Sequence, residues 1–109
     1  MVLSQDEQWA QVMERDGRAS VISGQTDDLV VVKRQPYRPP IYENLITVTL
    51  EERARLEGDP AMHRIALMRG WHTARYADLL TVPVSAHDGD WMLTDTGWRR
   101  PATREEVRR

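Results

Sequence analysis

Leu45-Ile46-Thr47-Val48-Thr49-Leu50-Glu51-Glu52 is the stretch on which the fold reading turns. Its first half, Leu45 to Val48, is rich in β-branched residues, which suit a pleated, half-buried surface, and predicts a short strand. Its second half is a capping box: the Thr49 hydroxyl can accept from the Glu52 N–H while the Glu52 carboxylate reaches back to the Thr49 N–H. A strand that feeds straight into a capped helix predicts an α+β domain.

Downstream, the helix is expected over Leu50–Glu57, with Gly58 as its stop. Asp59-Pro60 supplies an N-cap and a first-turn proline for a second helix, which runs through Ile65, Ala66 and Met68 to Gly70. A third is expected over Thr73–Leu79. Leu80, Val82 and Val84 alternate as in a strand, and Pro83, lacking an N–H, assigns that strand to a sheet edge. Ser85–Asp90 is read as a loop, Trp91–Thr94 as a return strand and Asp95-Thr96-Gly97 as a turn. Thr103-Arg104-Glu105-Glu106 is a further capping box, opening a short polar helix.

Upstream, Gln35-Pro36-Tyr37-Arg38-Pro39-Pro40-Ile41-Tyr42 holds three prolines in five positions, which excludes helix and interior strand. An extended crossover arm close to polyproline II is expected over residues 35–44. Ala19–Ser23 and Leu29–Val32 read as a hairpin around Gly24–Asp28. Ser4-Gln5-Asp6-Glu7 caps a helix over residues 5–16, with Trp9, Val12 and Met13 as its apolar stripe and Gly17 as its stop. The expected whole is one α+β domain over residues 1–98, with a small antiparallel sheet and four or five short helices. Residues 99–109 follow as a basic tail or short helix.

Size and composition agree. With 109 residues there is room for one domain. Phe is absent, so the bulky apolar burden falls on Trp9, Trp71, Trp91 and Trp98, whose indole N–H groups want partners. No cysteine is present, so no disulfide or thiolate site can form, which fits a reducing, cytoplasmic setting. The acidic start lacks a signal-peptide run and no transmembrane run is seen, so a soluble chain with no membrane partner is expected. Charge is uneven: residues 1–98 carry 10 basic and 15 acidic residues, net −5, and residues 99–109 carry five Arg and two Glu, net +3. Such a tail suits an acidic surface or phosphate.

Met62 to Leu80 places two expected helices around Gly70, with Ala66 four residues before the turn and Tyr76 and Leu79 as inner-face anchors. With the strand–loop–strand of residues 80–94 behind it, the segment is similar to the winged helix-turn-helix pattern. That resemblance implies a second helix in the major groove, with His72, Thr73 and Arg75 at base edges and Arg64, Arg69 and the Arg99-Arg100 pair at phosphates. Against it stand Arg69 where an apolar residue is usual, the acidic wing residues Asp88, Asp90 and Asp95, and the negative net charge.

Pro36-Tyr37-Arg38-Pro39 is a P-x-x-P segment, preset for docking at low entropic cost. Pro36, Tyr37, Arg38, Pro39, Pro40 and Tyr42, with Trp98, Arg99 and Arg100, are the candidate partner-binding residues. His63, His72, His87, Asp88 and Asp90 have no metal-ligand spacing, and neither metal nor cofactor is expected. No nucleophile elbow or phosphate-cradling glycine loop occurs, so no catalytic residue is assigned. The expected function is a non-enzymatic binding or assembly subunit, partnered by another protein or further copies of itself. A winged-helix DNA-binding regulator is the alternative, and a metal-dependent hydrolase using the histidines is a third class.

Overall fold

A computed structural model describes residues 4–108. The N-terminal reading therefore bears on it from Ser4 onward, and the basic tail as far as Arg108; Met1–Leu3 and Arg109 lie outside. The fold is α+β, with four helices and two small antiparallel sheets where one was expected.

Helix α1 spans Gln5–Arg15, capped by the Ser4 side chain on the Glu7 N–H. The first sheet pairs β1, Leu29–Lys33, with β2, Leu45–Thr49. Thr49 then opens α2, Leu50–Gly58, with both halves of its capping box formed. Asp59 caps α3, Pro60–Arg69, which ends on Gly70 in the left-handed region. The second sheet has the order β3–β4–β5, from Val84–Ala86, Gly89–Leu93 and Arg99–Pro101. Helix α4, Arg104–Val107, completes the chain behind the Thr103–Glu106 capping box.

Val21, Ile46, Val48, Leu56, Met62, Ala66, Trp71, Val84 and Leu93 form the core between the two sheets and α2 and α3. Val21 also ties the sheets through its backbone: its N–H donates to the Thr47 carbonyl at 2.9 Å, and its carbonyl accepts from the His87 N–H at 2.8 Å.

Five expectations are corrected. Ala19–Ser23 is no strand, because the Ser20 hydroxyl accepts from the Ile22 and Ser23 N–H groups and closes a local turn. β1 therefore pairs with β2 across the proline loop. That loop is not polyproline II either. The Arg38 N–H donates to the Gln35 carbonyl at 3.1 Å, and the Asn44 amide donates to the carbonyls of Gln35, Arg38 and Pro39 at 3.0, 3.3 and 3.1 Å. One side chain thus holds the loop folded.

The helix expected over Thr73–Leu79 is likewise absent, and with it the second helix of a helix-turn-helix. Residues 71–83 run as successive turns around the fully buried Arg34. Its guanidinium donates to the carbonyls of Gly70 at 2.8 Å, Glu43 at 2.9 Å, Leu79 at 3.4 Å and Val82 at 2.7 Å. Asp78 adds a local turn, its carboxylate accepting from the Leu80 N–H at 3.0 Å. Finally, the strand expected over residues 80–84 starts only at Val84. The wing-like hairpin is present as β3–β4, but only His87-Asp88 forms its turn: Ser85, Ala86, Gly89 and Asp90, expected in a loop, pair across the ladder instead.

Candidate interaction surface

The two outer edges of the first sheet are treated differently. The pairs Arg34 N–H to Asn44 carbonyl and Leu50 N–H to Asp28 carbonyl, both 2.8 Å, set the phase of the ladder. Leu45, Thr47 and Thr49 of β2 therefore turn their backbone groups outward, and the fold meets them. The Leu45 carbonyl accepts from Arg15. The Thr47 N–H donates to Asp16 at 2.9 Å and its carbonyl accepts from Val21. The Thr49 N–H donates to Glu52 at 2.8 Å. Asp16 in turn holds the buried Arg15 guanidinium at 2.9 Å.

On β1 the outward residues are Leu29, Val31 and Lys33, and none of their N–H or C=O groups finds a partner among the described residues. The free edge ends where the Arg34 carbonyl turns to accept from the Thr73 N–H at 3.2 Å.

A cleft of about 610 Å³ lies along this edge, with Val31, Val32, Lys33 and Leu56 in its lining. Arg53 and Glu57 of α2 stand on one side, and His63 of α3 with His72 on another. Pro36 closes one end. A second hollow of about 660 Å³ opens beside it at the α2–α3 junction and shares Leu56, Glu57 and His63.

The two histidine rings meet, with Nδ1 to Nδ1 at 3.0 Å, centroids 5.1 Å apart and planes at 53°. Gly70 makes this meeting: with φ of 76° it turns the chain back, and a Cβ there would lie 1.9 Å from the Pro83 carbonyl oxygen. Burial, then the neighbouring His63, lowers the pKa of His72. Among the described residues no group of three or more His, Asp and Glu converges as a metal cage.

Beyond Pro36, Tyr37 stacks on Arg75 at 4.8 Å, and Arg75 on Tyr76 at 5.5 Å. Both rings are open to solvent, at 78% and 87% exposure. The arm is anchored below by the Pro40 carbonyl, which accepts from Gln8, and by the Tyr42 hydroxyl on Gln11 at 3.3 Å. Arg38 and Pro39 are exposed and contribute the carbonyls that Asn44 holds. Trp98 is 62% exposed and follows Gly97, which packs against Gln11 and Tyr42, so the structure draws Tyr42 and Trp98 toward one side.

Arg99 and Arg100 are engaged internally. Arg99 bridges to Asp88 at 3.0 Å and lies 3.8 Å above the Trp91 ring, while Arg100 bridges to Glu106 at 2.6 Å. Hydrogen bonds from Arg100 and from Thr103 outweigh desolvation and hold the Glu106 carboxyl down at about 2. Of the remaining residues implied by the helix-turn-helix resemblance, Arg64 is exposed on α3, Arg69 reaches Ser85 on β3 at 3.3 Å, and the Thr73 hydroxyl accepts from Gln35 at 3.1 Å. No helix presents these as a row.

The residues that sequence reading missed are Val31, Lys33, Arg53 and Glu57. Lys33 directly after an apolar strand was the available signal, since edge strands favour lysine. No helix of the described chain is long and apolar enough to cross a membrane. No protein-family model matches the chain, and neither does any curated protein or solved structure.

Proposed function

We propose that this chain is a non-enzymatic binding module that takes an extended segment of a partner protein along the outer edge of β1. The observation that carries the reading is the contrast between the two edges of one sheet. Side chains and Val21 satisfy β2, while the outward backbone groups of Leu29, Val31 and Lys33 have no partner among the described residues, and Val31 and Lys33 line the cleft. An added strand supplies those hydrogen bonds, and pockets beside the edge select its side chains. A five-residue edge matches about 17 Å of extended chain. Pro36, Tyr37, Arg75 and Tyr76 form the lip over which such a segment leaves the cleft. Lys33, Arg53 and Glu57 offer it charges of both signs.

The test is selection of binders from a displayed random-peptide library, followed by backbone amide exchange on the complex. Slowed exchange at Leu29, Val31 and Lys33 is the expected outcome. Val31→Pro removes an outward N–H together with one cleft side chain, and a variant that melts at the wild-type temperature should lose the peptides. Binders that leave those three amides unprotected would falsify the reading.

A further inference from the structure

His63 and His72 sit nine residues apart, on opposite sides of the Gly70 turn, yet their Nδ1 atoms are 3.0 Å from each other. We propose that this pair is a chelating site for a divalent transition ion of tetragonal preference, Cu²⁺ or Ni²⁺. The pair borders the same cleft as β1, but the proposal does not rest on β1 taking a peptide.

The argument is geometric. With metal–nitrogen bonds of about 2.0–2.1 Å, nitrogens 3.0 Å apart subtend an angle of about 95° at a shared ion. Square-planar and octahedral coordination asks for about 90° between neighbouring ligands, and imidazole suits copper and nickel. A tetrahedral zinc site asks for a wider angle, so the rings would have to part. Both rings are reachable: His63 is exposed and His72 half-buried, and His63 borders both hollows.

With both rings neutral, the short contact is a hydrogen bond in which one Nδ1–H donates to the other Nδ1. Chelation needs both Nδ1 lone pairs, so that proton leaves its Nδ1 and the same ring is protonated at Nε2. Proton count is conserved when both rings begin neutral. The remaining coordination positions belong to water, because no third protein ligand converges among the described residues. Lys33 and Arg53 on the cleft oppose a cation and Glu57 favours one, so the imidazoles set the affinity.

The experiment titrates the full chain with CuCl₂, read by calorimetry and electron paramagnetic resonance. One saturable equivalent with two nitrogen donors is expected. His87→Ala should keep it, because His87 lies against Gly24, away from the pair. His63→Ala and His72→Ala should each abolish it, with circular dichroism checking the fold of both. Should His72→Ala unfold, the exposed His63 decides alone. Copper held equally by the His63→Ala variant overturns the proposal, as does wild-type protein with no one-to-one binding.

Discussion

Arg34 shows how one residue can decide the course of a distant segment. It is fully buried, and no carboxylate lies within salt-bridge distance among the described residues. Burial, then the nearby Arg15, brings its pKa down to about 9 against a pull from Glu43, so it stays charged at neutral pH. Backbone carbonyls serve as its partners instead. Arg34→Ala would leave those carbonyls unpaired in the core, at about 1–3 kcal/mol for each one that finds no other donor, and a matching drop in the urea midpoint is expected. Gly70→Ala meets both a positive φ and the Pro83 carbonyl. The backbone strain alone costs about 1–3 kcal/mol, and the melting temperature should fall accordingly. His72 gives stability a pH dependence of known sign. Its folded pKa lies below the unfolded value of about 6.5. Between the two the unfolded chain holds the extra proton, so acid favours unfolding. The urea midpoint should be level above about pH 7.5 and decline through the folded pKa as pH falls. His72→Gln should flatten that decline. The lowered carboxyls of Glu52, Asp88 and Glu106 titrate well below this window.

At the level of elements, the helix starts were legible because caps are local. Thr49 with Glu52, Thr103 with Glu106, and Asp59 before Pro60 all formed as their spacing implied. The β3–β4 hairpin was legible in outline, with its strands displaced toward the turn from where they were expected. What failed depended on partners far along the chain. Residues 73–79 have a helical pattern, but the Leu79 carbonyl and, just beyond, that of Val82 answer to Arg34, 45 and 48 positions upstream. Ala19–Ser23 has strand residues, but Ser20 folds back on its own backbone and donates to Glu52. β5 was read as tail because its arginines looked free for an acidic partner or phosphate, whereas Asp88, Trp91 and Glu106 hold them. The histidine pair follows no helical spacing, since a turn makes it. β1 also yields a test without any ligand. Amide exchange in the free protein should alternate, fast at Leu29, Val31 and Lys33 and slow at Val30 and Val32, whose phase faces β2. Uniform protection along the strand would contradict the edge assignment.

Across the whole molecule, the two sheets are coupled rather than merely adjacent. Val21 bonds to both, Arg34 joins the end of β1 to the segment before β3, and the Trp71 indole donates to Ser85 on β3 at 2.8 Å. Such interlocking makes independent melting of either half costly. A single transition is expected, with tryptophan fluorescence and far-ultraviolet circular dichroism giving coincident urea curves. Separate midpoints would mean that the sheets unfold apart.

The outer rim of β1 has a further consequence. Leu29-Val30-Val31-Val32 is a short, uncharged, β-branched run, the kind of segment that stacks into fibrils when its border is unguarded. Lys33 and Pro36, three residues beyond the strand, keep that run brief and break its repetition. Lys33→Val would lengthen it to five apolar residues, and faster fibril growth than wild type, followed by thioflavin T fluorescence, is the expected outcome.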